Sequence, residues 1–111
     1  MNAATYTPQE LIELAAGACR TLPPPDQLST LDTQLRAELK RLFPIVEKQA
    51  EELPVDNPGR YSRQRALDAT RDALDERLDR DAPLPAALLV AELGRQLRDL
   101  VTYAEEGNGR D

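Results

Sequence analysis

Apolar side chains along this chain recur at steps of three and four residues in four separate segments, the spacing of helices with one buried face. The first segment opens at Thr7-Pro8-Gln9-Glu10. A threonine cap, a proline at the first helical position and a glutamate three residues after the cap make a capping box. Leu11, Leu14, Ala15, Ala18 and Leu22 then form the inward stripe, and Pro23-Pro24-Pro25 ends it by removing backbone donors. The second segment, about Asp26 to Leu53, has the clearest period: Leu28, Leu31, Leu35, Leu39, Leu42, Val46, Ala50 and Leu53 follow at steps of 3, 4, 4, 3, 4, 4 and 3. The pattern stays in register across Pro44, which predicts one long helix kinked there, with a break at Phe43 as the other possibility. The eleven-residue period predicts a nearly straight or slightly right-handed course.

Turn formers fill Leu53-Pro54-Val55-Asp56-Asn57-Pro58-Gly59, and either Asn57 or Ser62 is placed to cap a third helix. Its expected inward stripe is Tyr61, Ala66, Leu67, Thr70, Ala73, Leu74 and Leu78. Asp81-Ala82-Pro83-Leu84-Pro85 makes the next break. A last helix follows from about Pro85 to Glu106, with Leu89, Leu93, Leu97, Leu100, Val101 and Ala104 inward and Gly107-Asn108-Gly109 as its stop. Gly94 in its middle predicts close helix packing or a bend, because glycine there costs about 1 kcal/mol relative to alanine.

No stretch alternates in the manner of a strand. The expected fold class is all-α, a four-helix up-down-up-down bundle with one short N-terminal helix and three longer ones. A single domain over residues 7–106 lies between short flexible ends, 1–6 and 107–111. The short first helix leaves part of a groove between the longer ones uncovered, which invites a protein partner or a second copy.

Composition narrows the chemistry. Among 111 residues there is no histidine, so the usual general base near neutral pH and the commonest transition-metal ligand are missing. Di-iron carboxylate bundles, which need Glu-x-x-His pairs, fall with it. A net charge of −6 disfavours broad attraction to nucleic acid or an anionic membrane. No apolar run reaches the roughly 18 to 20 residues of a membrane span. The single cysteine, Cys19, cannot close an intramolecular disulfide, and Met1 to Gln9 has no signal-peptide pattern, so a cytoplasmic protein is expected. Lysine stands only at Lys40 and Lys48 against 12 arginines, a skew associated with GC-rich genomes.

Three constellations carry side chains capable of chemistry. Asp68, Asp72, Asp75 and Asp79 share a face of the third helix, as a divalent cation would require, but Arg71 and Arg80 offer local partners to Asp75 and Glu76, and a solvated face is the expectation. Arg60, Arg63 and Arg65 crowd a helix start beside Ser62, an arrangement able to contact phosphate or nucleic acid. Their plainer role is pairing with Glu47, Glu51, Glu52 or Asp56. Cys19 has only Arg20 nearby to activate it and is expected to be a structural thiol. With no glycine-rich phosphate loop, no Cys-x-x-Cys and no nucleophile-base-acid set, no cofactor, no metal and no enzymatic activity are expected. The expected working surface is instead a partner-binding apolar strip drawn from Phe43, Ile45, Leu84, Leu88 and Val90, side chains that the main stripes do not need.

Leu35-Arg36, Leu42-Phe43-Pro44-Ile45-Val46-Glu47, the Arg65-Ala66-Leu67 to Arg71 segment with Leu74 and Leu78, and the arginine-leucine helix from Leu93 to Leu100 cover about two-thirds of the chain. In these segments it resembles an uncharacterised family of small helical proteins from streptomycetes and related actinobacteria. It departs from that family at Ala37-Glu38, where the family has Gly-His. The resemblance implies a helical fold and a host lineage, and it implies no activity.

Overall fold

Four helices follow one another in a computed structural model that describes residues 5–108: α1 (Pro8–Thr21), α2 (Pro25–Glu52), α3 (Pro58–Asp75) and α4 (Pro83–Asn108). No strand occurs among the described residues. Each helix starts on a proline, whose missing N–H is one that a first turn leaves unbonded anyway. The capping box of α1 is present: Thr7 Oγ1 accepts from the Glu10 N–H at 3.2 Å, and the Thr7 N–H donates to Glu10 Oε1 at 2.9 Å. Thr7→Ala removes the first of these and is expected to lower stability by about 1 kcal/mol in chemical denaturation.

Several boundaries differ from the sequence expectation, each for a local reason. α2 is not among them: it is one helix through Pro44, as the unbroken register predicts, with no break at Phe43, and proline at that position points to solvent, where the unbonded carbonyl one turn earlier can be hydrated. Leu22 is not part of the α1 stripe. It takes the left-handed C-cap, φ 44°, with its N–H donating to the Ala18 carbonyl at 2.9 Å, and its side chain turns outward. Asn57, and not Ser62, caps α3, accepting from the Gly59 N–H at 2.7 Å, while the Ser62 hydroxyl donates to Pro58 O at 3.1 Å. Tyr61 therefore lies on the outer face of α3 and is exposed. Leu78 is past the end of α3 but still packs against the core. α4 begins at Pro83, earlier than expected, and continues through Gly107. Of the expected flexible ends, residues 1–4 and 109–111 lie outside the described residues. Tyr6 packs on the core, and its N–H donates to Gln34 Oε1 at 2.9 Å.

α2 and α4 form the central pair. They run parallel, with Gln49 near the end of α2 donating to Ala104 O near the end of α4 at 3.4 Å. α1 and α3 lie antiparallel on either side and do not touch each other. Leu31, Leu35, Leu39 and Val46 of α2 meet Leu93, Leu97 and Leu100 of α4 in a fully buried aliphatic core. The long dimension, 45 Å, is close to the length of α2 at about 1.5 Å per residue. Gly94 permits a close approach of α1 to α4: a Cβ built there would stand 2.4 Å from Ala15 Cβ of α1.

Candidate docking surface

Leu84 and Leu88 lie one turn apart at the start of α4 and are each 53% exposed. Their position follows from the helix period, since Ala86, Ala87 and Val90 take the inward directions and leave residues 84 and 88 on the opposite side. α3 has already ended at Asp75, so no helix covers them. A turn leads into α4, with the Asp81 N–H donating to Asp79 Oδ1 at 2.9 Å and the Ala82 N–H to Asp79 O at 3.2 Å. Between this turn and α4 opens a groove of about 500 Å³, floored by Pro85, Leu88 and Leu89 and rimmed by Glu76, Arg77, Asp79 and Glu92.

The other residues expected in the strip are elsewhere. Ile45 lies at the opposite end of the bundle, in a groove of about 450 Å³ where Pro8 of α1, Leu42 of α2 and Val101 and Ala104 of α4 meet. Val101 is thirteen residues after Leu88 on the same helix, roughly 20 Å along it. Phe43 is half-buried, with the Arg71 guanidinium 5.3 Å over its ring. Val90 is fully buried, which corrects the expectation that it is available to a partner; it points into the core on the face of α4 that carries Ala86 and Leu93. The five residues are thus two separate apolar patches, a covered ring and a core position.

The arginine cluster is built into the fold. Arg60 Nη1 donates to Leu53 O at 3.0 Å, satisfying a carbonyl at the end of α2. Arg63 is buried: Nε donates to Gln49 Oε1 at 3.4 Å, Nη1 to Gly59 O at 3.3 Å, Nη2 stands 3.6 Å from Glu106, and the guanidinium lies 4.8 Å from the Tyr103 ring centroid. Arg65 lies 5.8 Å over Tyr61. The partners are two carbonyls, an amide, two tyrosines and Glu106, and none of the four carboxylates suggested by sequence proximity. A phosphate at this helix start would compete with these bonds.

The carboxylate face of α3 is solvated, but its pairing differs from the expected one. Arg71 meets Asp68 at 3.4 Å and not Asp75, and Arg80 pairs with Asp26 across the bundle instead of with Glu76. Among the described residues no group of three or more His, Cys, Asp or Glu side chains could hold a metal ion. Cys19 is a free, half-buried thiol packed against the core. On α2, a hydrogen bond from Arg41 to Glu38 at 2.8 Å holds the guanidinium above its ordinary pKa.

Two features escaped the sequence reading. Arg36 reaches from α2 to the C-terminal end of α3, donating to Leu74 O at 2.8 Å and to Glu76 O, while Asp32 holds its Nε at 2.8 Å. Gln96 is buried, with 8% of its surface exposed, and its Oε1 has no hydrogen-bond partner. A signal for Gln96 was present: it lies four residues before Leu100 and seven after Leu89, in the apolar register.

No helix of the described residues is long and apolar enough to cross a membrane. Comparison with protein families matches residues 7–109 to the model of a family of unknown function, DUF6415. No curated protein and no solved structure matches the chain.

Proposed function

The chain belongs to the DUF6415 family, and we propose that it is a non-enzymatic interaction module that docks an amphipathic helix of another protein on the Leu84–Leu88 patch. The observation that carries this reading is the pair of half-exposed leucines one turn apart beside an open apolar groove. Spacing of this kind suits the i, i+4 anchors of a partner helix. The rim selects the partner's charge: Glu76, Asp79 and Glu92 outweigh Arg77, and the whole chain carries −6, so a partner with basic flanks is favoured.

Self-association is the less favoured occupant. A stable dimer buries roughly 800 Å² per partner, several times what two half-exposed leucines supply, and two acidic copies repel. Light scattering after size exclusion, run over a hundredfold concentration range, is expected to give a mass near 12.3 kDa throughout. A mass twice that would replace the heterotypic partner with a second copy. The lone cysteine and the acidic balance favour a cytoplasmic setting, and the arginine skew favours a GC-rich host such as an actinobacterium.

A further inference from the structure

Along α4, Leu88, Ala91 and Gly94 follow one another at steps of three, and so do Glu92, Arg95 and Arg98 one turn on. Rows spaced in this way are neighbouring ridges of a helix surface, and the furrow between them is where a ridge of another helix packs. One wall is apolar and falls in size from leucine to glycine; the other is charged. The groove floored by Pro85, Leu88 and Leu89 takes in Leu88 and Glu92 at the start of the furrow. At its far end a second cleft, of about 240 Å³, is lined by Ala91, Gly94, Arg95 and Arg98 together with Ile12 and Ala16 of α1. The two hollows therefore lie on one line across α4, with Leu88 and Arg98 roughly 15 Å apart along the axis.

The charge reverses along that line. At the Leu88 end Glu76, Asp79 and Glu92 outweigh Arg77, whereas the lining at the Gly94 end holds two arginines and no acid. Arg95 and Arg98 are both more than half exposed, and the carboxylates they meet stand on their own helix, Glu92 at 2.7 Å and Asp99 at 3.9 Å. Exposed pairs of this kind hold little energy, so both guanidiniums are free to turn to a carboxylate from outside, which arginine binds with two parallel N–H groups.

We propose that the docking seat extends from the Leu84–Leu88 patch along this furrow to the cleft at Gly94, where Arg95 and Arg98 hold acidic residues at the far end of the partner helix. The extended seat rests on the docking site proposed above and fixes what that site leaves open, the partner's charge order and direction. A short helix is stabilised by acids in its first turn and bases in its last. Such a helix meets both ends of the furrow when it runs against the direction of α4, its acidic turn over Arg95 and Arg98 and its basic turn over Glu76, Asp79 and Glu92. The occupant is thus an amphipathic helix of three to four turns, acidic first and basic last.

Fluorescence anisotropy tests it with two labelled 14-residue peptides on one leucine stripe, the first with glutamates in its opening turn and lysines in its last, the second with lysine in place of every glutamate. At about 0.15 M salt, where long-range attraction of the acidic chain for lysine is screened, the wild type is expected to bind the first about fivefold more tightly. Arg95→Glu/Arg98→Glu is expected to reverse that order. Arg65→Glu/Arg71→Glu, two exposed positions on α3 with the same change in net charge, is expected to keep it. Arg95→Gln/Arg98→Gln, expected to bind the two peptides alike, serves if the charge reversal fails to fold. Equal binding of the two peptides by the wild type, an order unchanged in the Arg95/Arg98 variants, or a reversal shared with the α3 variant would overturn the extended seat, and the docking site stands if Leu84→Asp/Leu88→Asp still loses both peptides. Binding of neither peptide by the wild type, or undiminished binding by the leucine variant, would overturn both.

Discussion

Gly94→Ala is expected to lower the midpoint of thermal unfolding by roughly 5–10 °C, although alanine is the better helix former by about 1 kcal/mol. The added Cβ would sit 2.4 Å from Ala15 Cβ, with Ala15 Cα also within 3.7 Å, so the obstacle is the neighbouring helix and not a side chain that can rotate away. α1 must move off α4, loosening Leu11 and Ala18 from the core, and overpacking of this kind costs about 1–3 kcal/mol, occasionally more. Ala15→Gly in the Gly94→Ala background is expected to recover most of the loss, a coupling that a double-mutant cycle measures. A Gly94→Ala protein more stable than the parent would show that α1 and α4 do not cross at this spacing.

Leu97→Ala carries the other large effect. Leu97 is fully buried in the seam between α2 and α4, and truncation leaves a cavity that two long helices cannot both close, so a loss of about 2–5 kcal/mol is expected in urea unfolding. Leu88→Ala, nine residues earlier on the same helix but half exposed, is expected to change stability by less than about 0.5 kcal/mol. Equal losses at the two positions would mean that Leu88 is core and that no apolar patch is offered at the start of α4.

The helical period of α2 makes its buried face readable position by position, from Leu28 to Ala50, because one continuous apolar stripe leaves a long amphipathic helix a single orientation toward the core. The α1 start was equally legible, since a capping box is a local arrangement of four residues. Leu22 and Tyr61 were assigned inward on spacing alone. Leu22 is turned out by a left-handed cap, and Tyr61 by the cap at Asn57 that fixes the phase of α3. Arginine partners were misread for a related reason: Arg60, Arg63 and Arg80 reach carbonyls and side chains brought near by tertiary packing, which sequence proximity does not encode. The candidate strip split because Ile45 and Leu88 are apolar positions at opposite ends of the bundle, and hydrophobicity alone places neither along its axis.

The most direct test of the docking reading is a fluorescence-anisotropy titration with a labelled 14-residue leucine-lysine amphipathic peptide, comparing the wild type with Leu84→Asp/Leu88→Asp. Both positions are half exposed, so the variant is expected to keep the parent's helical circular dichroism and its unfolding midpoint within a few degrees. Saturable binding by the wild type, weakened about tenfold or more in the variant, is the predicted result. Binding of equal strength by both proteins, or none by the wild type, would contradict the assignment of a partner helix to this patch.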